Sequence, residues 1–306
     1  MYMERPSFDP GLTQKYTGAV RRTINKDGSF NVHRRGATWR DFHPYLQLVN
    51  MGWPIFFLVL FAGYVLANTV FALAYFLLGP NALEGVSGAT QWARYTGDFF
   101  FSAHTLTTVG YGNIVPRGTP ASLLSAFEAW VGVLGFAVAA GLLYGRVSRP
   151  SARFGFSRQA LIAPYQDGRS LQFRVVNRRA NSLMEVEARV MLSTVERQGS
   201  ELVRRYQILK LERDQILFLA LTWTVVHPID PESPLWDKSA ADLQRLQAEI
   251  LILIKAYDDT FSQTVLGRHS YRHDEFAWGV RFAPAFSVDT HGDLVLELKR
   301  VSEVAG

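Results

Sequence analysis

Two stretches of the chain are hydrophobic without alternation. Residues 52–78 (GWPIFFLVLFAGYVLANTVFALAYFLL) contain no charged side chain, and residues 118–145 (GTPASLLSAFEAWVGVLGFAVAAGLLYG) contain only Glu128. Each exceeds the roughly 20 apolar residues that carry a helix across a bilayer. They predict two membrane-spanning helices, over about 52–78 and 120–146, rather than a pair of buried core helices. Between them, an apolar half-helix is expected over about 97–107, broken by Thr108-Val109-Gly110-Tyr111-Gly112. That segment is too short, and too polar at its end, to be a third span. Ahead of the first span, Trp39, Phe42, Tyr45, Leu46 and Val49 recur at three- and four-residue spacing within residues 38–54, the pattern of an amphipathic helix at a membrane surface. From residue 157 onward the period shortens. Runs such as LQFRVVN, MEVEARVML, EILILIKAY and LVLELKRV, with turn signals at QDGR (166–169) and THGD (290–293), predict an antiparallel sandwich or barrel. Ser239, with Asp242 three residues on, predicts a short capped helix ending near Leu246.

Charge sets the orientation. Residues 1–50 carry 8 Lys/Arg against 4 acids, a net of +4, and Arg146, Arg149, Arg153 and Arg158 follow the second span with no acid among them. Residues 79–120 are balanced by Glu84, Asp98, Arg94 and Arg117. The positive-inside rule then puts both termini in the cytoplasm and 79–120 outside. Residues 159–306 have 18 basic and 20 acidic side chains. The overall +5 therefore sits beside the membrane, which disfavours a nucleic-acid partner and favours anionic lipid. With 48% hydrophobic residues the chain is not a disordered one, and the lack of cysteine excludes disulfides, thiolate zinc and a cysteine nucleophile. No apolar run at the start marks a cleavable signal peptide. No phosphate loop, nucleophile elbow or paired carboxylate points to an enzyme. The division expected is a cytoplasmic N-terminal segment (1–50), a membrane domain (51–150) and a β domain (151–306).

The pentapeptide 108–112 carries the chemistry. Irregular backbone at membrane depth is tolerated only where protein buries it or a water-filled path adjoins it. A potassium ion crossing a membrane must exchange its water shell for protein oxygens, and a row of carbonyls supplies them. Gly110 and Gly112 allow the positive φ that turns successive carbonyls toward one axis. Thr108 adds a hydroxyl, while Val109 and Tyr111 are expected to point away and pack against the scaffold. One chain provides one strand of such a ring, which implies three further identical subunits in a homotetramer. K+ is then the permeant ion, with no cofactor and no metal beyond K+ in the filter.

Span, half-helix, TVGYG and span together resemble the potassium channels with two transmembrane helices per subunit. The segment 38–50, GLLYGRVSRP (141–150), SLMEVEARVML (182–192), WTVVHPIDPESPL (223–235) and GRHSYRHDEFAWG (267–279) resemble the inward-rectifier family, in its prokaryotic branch often called KirBac. The resemblance runs from about residue 25 onward. It implies an immunoglobulin-like cytoplasmic β-sandwich, a bacterial inner-membrane location and modulation by anionic lipid. It places Tyr144 at the gate of the inner helix bundle and Glu185 in the cytoplasmic vestibule. Glu187 and Arg189 alternate with Glu185 on one strand and are expected to share its face. Arg146, Arg149 and Arg153 are the expected lipid contacts. Polyamines or Mg2+ are candidate blockers, weakly held in the membrane region because Phe136 stands where strongly rectifying relatives carry an acid.

His104 also departs from the family, which often has an acid or amide there, behind the filter. Glu128 is an intramembrane acid and needs a polar partner or a cavity. Both are expected to support the pore helix and filter. Gly132, Gly135 and Gly141 permit close packing or bending of the second span. His269 and His273 lack an obvious third ligand, so no metal site is expected. Two other readings fit parts of the chain: a membrane-anchored β domain that binds a ligand without conduction, which leaves TVGYG unexplained, and a cation pore without selectivity.

Overall fold

The computed structural model describes residues 11–12, 15–16, 22–33, 35–36, 38, 43–86, 90–148, 153–198 and 201–305. Trp39, Phe42 and Arg149 lie outside this set. The chain divides into two units, Arg35–Arg149, and Met1–Arg34 with Pro150–Gly306.

In the first unit, helix α1 spans Pro44–Asn50. It starts at Pro44, which occupies a first-turn position, and His43 before it is extended, as a residue preceding proline prefers; residues 39–42 of the amphipathic segment lie outside the described residues. Helix α2 is Trp53–Leu78, 26 residues, with Pro54 in its first turn where a missing N–H is harmless. At 1.5 Å per residue it is about 39 Å long, enough for a hydrocarbon core of about 30 Å. Helix α3 covers Gln91–Leu106, so the helix expected from Gly97 starts at Gln91 instead. The Thr90 hydroxyl accepts the Ala93 N–H at 3.1 Å and fixes that start. The 30-residue helix α4 is Gly118–Val147. Both α2 and α4 are long and apolar enough to cross a membrane, and they expose apolar side chains such as Leu58, Phe61 and Leu66, and Leu123 and Val138. Phe71, Tyr75, Leu83, Phe101 and Leu106 form the core among α2, α3 and the link between them.

The second unit is a β-sandwich. One sheet orders its strands as Lys15–Tyr16, Glu201–Ile208, Leu183–Gln198, Glu249–Asp258 and Gln263–Arg272, with Gln215–Phe218 also on Leu183–Gln198. The other runs Thr222–Ile229, Gly168–Asn177, Ala160–Tyr165, Phe276–Trp278, with Phe154–Phe156 also on Gly168–Asn177. Their inner faces interdigitate: Leu171, Phe173 and Val175 from one sheet meet Ala188, Val190, Ile250 and Ile252 from the other. The QDGR turn closes the hairpin Ala160–Tyr165/Gly168–Asn177, with Gln166 at φ 48°. Helix α5, Ala240–Arg245, carries the full reciprocal cap between Ser239 and Asp242.

Strict alternation fails at Glu185. Its φ is +49°, and the pairing with Glu249–Asp258 slips there, so Leu183 and Val186 both face the core. This is a β-bulge, which adds one residue and re-aims the side chains beyond it. The N-terminal segment is strapped to this unit. Ile24 packs with Tyr206 and Leu251, and the buried Glu249 carboxylate accepts the Thr23 N–H (3.0 and 3.1 Å) and hydroxyl (2.8 Å).

Candidate functional site

The end of α3 organises the loop beyond it. The Thr105 carbonyl accepts the Thr108 N–H at 3.0 Å, and the His104 carbonyl accepts those of Val109 (2.9 Å) and Gly110 (3.2 Å). Helix C-termini leave such carbonyls unpaired, so the loop is tethered by the groups the helix itself leaves over. Past that tether the backbone alternates in hand. Thr108, Gly110 and Gly112 have φ of 59°, 57° and 79°, while Val109 and Tyr111 stay outside the left-handed region. Positive φ at both glycines matches the sequence expectation. At Thr108 it does not, and a non-glycine residue held there costs about 1–3 kcal/mol. The His104 ring lies edge-on to the Tyr111 ring, with centroids 4.7 Å apart. Val109 and Tyr111 are otherwise exposed in a single chain.

Behind the loop, α4 seats α3 through residues one helical turn apart. Glu128 is fully buried and accepts the Tyr75 hydroxyl at 2.8 Å and the Ser102 hydroxyl. Ser102 also lies 3.1 Å from the Asn68 side-chain oxygen, and the Asn68 amide donates to the Tyr64 carbonyl at 2.8 Å. Four residues on, a Cβ on Gly132 would stand 2.0 Å from the Leu106 carbonyl oxygen. The step Glu128 to Gly132 on α4 thus matches Ser102 to Leu106 on α3. Gly135 and Gly141 have no atom within 4 Å of a built Cβ. Asn68, Tyr75 and Ser102 carry no sequence signal of their own. The signal is Glu128 itself, since an acid in a span needs partners and these are among the few polar side chains facing it. Nearer the start of α3, Arg94 approaches the buried Asp98 at 4.0 Å, lies over the Phe76 ring at 4.3 Å and donates to the Phe76 carbonyl.

Toward the other end of α4, Tyr144 is 74% exposed, and Phe136, in mid-helix, is 78% exposed, so neither ring is buried within its own chain. Arg146 is not free: it donates to the carbonyls of Leu48 and Val49 in the last turn of α1 and of Met51, its C-cap. Arg153 is exposed. Glu185 and Glu187 line one open cleft of about 490 Å³ with Gln215, Lys255 and Tyr257. Arg189 bonds Glu187 at 2.6 Å, so with Lys255 this surface carries two acids and two bases. His269 is on a strand and His273 in a one-turn helix, and among the described residues no acid–histidine cluster could hold a metal.

Residues 154–305 match the family model for the inward rectifier potassium channel C-terminal domain, and residues 55–148 match that for an ion channel. The chain is 35% identical over 289 residues to the inward rectifier potassium channel Kirbac3.1 of Paramagnetospirillum magnetotacticum, covering 93% of this chain and 96% of that one. It is 28% identical to the human G protein-activated inward rectifier potassium channel 3 (94% and 79% covered) and 25% identical to human channel 2 (88% and 69%). Two spanning helices, a tethered loop of alternating hand, a cytoplasmic-type β-sandwich and a relative matched end to end lead to one conclusion: the chain belongs to the inward rectifier potassium channel family.

Proposed function

We propose that four copies of this chain surround one pore in a bacterial inner membrane, with both termini cytoplasmic, and that Thr108–Gly112 is the K+-coordinating filter. The observation that carries this reading is the alternation of backbone hand at Thr108, Gly110 and Gly112. Such a backbone turns successive carbonyls to one side, and four such rows replace the water shell of a dehydrated cation. Ions in adjacent sites repel one another onward, so conduction is passive. His104, through its carbonyl, and Glu128, through Ser102, hold the loop in place. Tyr144 lines the inner constriction, where a ring of bulky side chains stops ions. Glu185 and Glu187 face the cytoplasmic path and, offset by Arg189 and Lys255, hold polyamine or Mg2+ only weakly. Exposed Arg153, together with Arg149, attracts anionic headgroups.

The test is rubidium uptake into liposomes that hold the purified protein and a potassium gradient. Barium-sensitive uptake is expected, and Gly110→Ala abolishes it, because alanine strains a residue whose φ is +57°. Gly110→Ala has open space for its Cβ, so a folded but non-conducting protein is the expected product. Uptake that survives Gly110→Ala unchanged overturns the filter assignment.

A further inference from the structure

We propose that Arg146 is a positioning residue, a strut that fixes the inner end of the gate-bearing helix to the elbow between α1 and α2. Its Nη1 donates to the carbonyls of Leu48 (2.5 Å) and Val49 (3.0 Å), and its Nη2 to that of Met51 (2.7 Å). The guanidinium also lies over Trp53 at 4.6 Å and Phe56 at 4.4 Å. These carbonyls belong to the last turn and cap of α1, where a helix has no partners of its own and a cation is favoured. Helix α1 has seven residues and buries none of them. So short a helix does not hold itself in water, and Arg146 supplies the missing anchor from a hundred residues further along the chain. A second contact reinforces the joint: the Tyr45 hydroxyl sits 2.9 Å from where a Cβ on Gly145 would lie.

The engagement leaves little for a lipid phosphate. Two nitrogens are committed to carbonyls, the Nε is buried, and two aromatic rings cover the planar group. Arg146 therefore differs from Arg153, although sequence alone puts both in one basic cluster. Tyr144 lies two residues before Arg146 on the same final turn of α4. The strut fixes where that turn ends, and so where the Tyr144 ring projects. Released, the turn carries Tyr144 into the ion path. This inference rests on the reading of Tyr144 as the gate.

Lysine keeps the charge but not the planar fork or the stacking. Barium-sensitive rubidium uptake is to be measured for the wild type, Arg146→Lys, Arg146→Ala, Tyr144→Ala and Tyr144→Ala/Arg146→Lys. Vesicles are of phosphatidylcholine alone and of phosphatidylcholine with phosphatidylglycerol. The strut predicts that both Arg146 variants lose flux by about tenfold, the scale of one charge-assisted hydrogen bond. It predicts the same loss in both lipids, and flux in the double variant equal to that of Tyr144→Ala. Restoration there also shows that Arg146→Lys folds with an intact filter. If Arg146→Lys behaves as wild type while Arg146→Ala loses flux only with phosphatidylglycerol, charge toward lipid is the role and the strut is wrong. A loss that persists in the double variant overturns it as well. The gate reading fails separately, if Tyr144→Ala leaves uptake unchanged in both lipids.

Discussion

Within the tethered loop, Thr108 adopts a left-handed backbone that its glycine neighbours adopt at little cost. Its conformation is imposed by the carbonyls of His104 and Thr105 and by the fixed end of α3, which is why residue type alone does not foretell it. A different kind of imposed state is found at His269. Its ring stacks on Phe156 with centroids 4.5 Å apart and an interplanar angle of 3°, and among the described residues neither ring nitrogen makes a well-formed hydrogen bond. Burial, with help from Lys26 and Arg22 nearby and against the pull of Glu275, lowers its pKa from 6.5 to about 3. The folded chain therefore keeps this histidine neutral while the unfolded chain protonates it below about pH 6.5. Its contribution to stability is intact above that pH and drains away as pH falls toward 3. His227, whose ring is held between the Lys210 carbonyl (2.6 Å) and Ser233 (2.8 Å), is lowered too, chiefly by burial. His269→Phe removes the titrating group and keeps a flat ring against Phe156. Thermal unfolding at pH 7 and pH 5 is expected to show a smaller acid loss in the variant than in the wild type. Equal losses would show that His269 does not carry this sensitivity.

At the scale of elements, the decisive contact is the seat of α3 on α4. Gly132 allows α4 to touch the Leu106 carbonyl, and Glu128 binds Ser102 one turn earlier. An alanine at 132 must push the two helices apart at the residue from which the filter loop departs. Gly132→Ala is expected to raise sodium permeability relative to potassium or to prevent assembly, whereas Gly135→Ala, with open space around it in its own chain, leaves selectivity intact. Equal selectivity in both variants would show that the seat does not hold the filter. At 128, glutamine can accept from Tyr75 and donate to Ser102, which then serves Asn68. Glu128→Gln is therefore expected to conduct selectively. Glu128→Leu strands the buried Tyr75 hydroxyl, at about 1–3 kcal/mol, leaves Ser102 only Asn68, and is expected to leak sodium in a bi-ionic flux assay. The two spans are legible in the sequence because uncharged runs of that length have few other uses. The start of α3 is not, since Gln91–Asp98 is polar and only the Thr90 cap marks it. A strict period of two would put Leu183 on the face of Glu185 and Glu187, and the bulge at Glu185 turns it into the core instead.

For the whole molecule, the order of elements is legible and the long-range polar contacts are not. Runs of Val, Ile and Leu announce a sandwich because alternation is local. Glu249 meeting Thr23, or Arg146 meeting Leu48, joins positions that no sequence period relates. These contacts are where the chain is tied together: one straps the N-terminal segment to the β-sandwich, the other fixes the elbow of α1 and α2 to α4. The charged surface shows the same limit. The sequence places Glu185, Glu187 and Arg189 on one strand face, but not the Arg189–Glu187 pairing or Lys255 across the cleft, which offset the two acids. An anchored β domain without conduction has no use for the alternating loop or for its seat, and a pore without selectivity has no use for so fixed a geometry.

Selectivity is the property on which the tether of the loop and the seat of α3 on α4 converge. The most direct measurement is the reversal potential of purified protein in a planar bilayer with potassium on one side and sodium on the other. A filter built on Thr108–Gly112 predicts a reversal close to the potassium equilibrium potential, displaced toward zero by Gly132→Ala. Currents from the wild type that reverse near zero would contradict it, because a backbone held as Thr108–Gly112 is here would then not be choosing between the two ions.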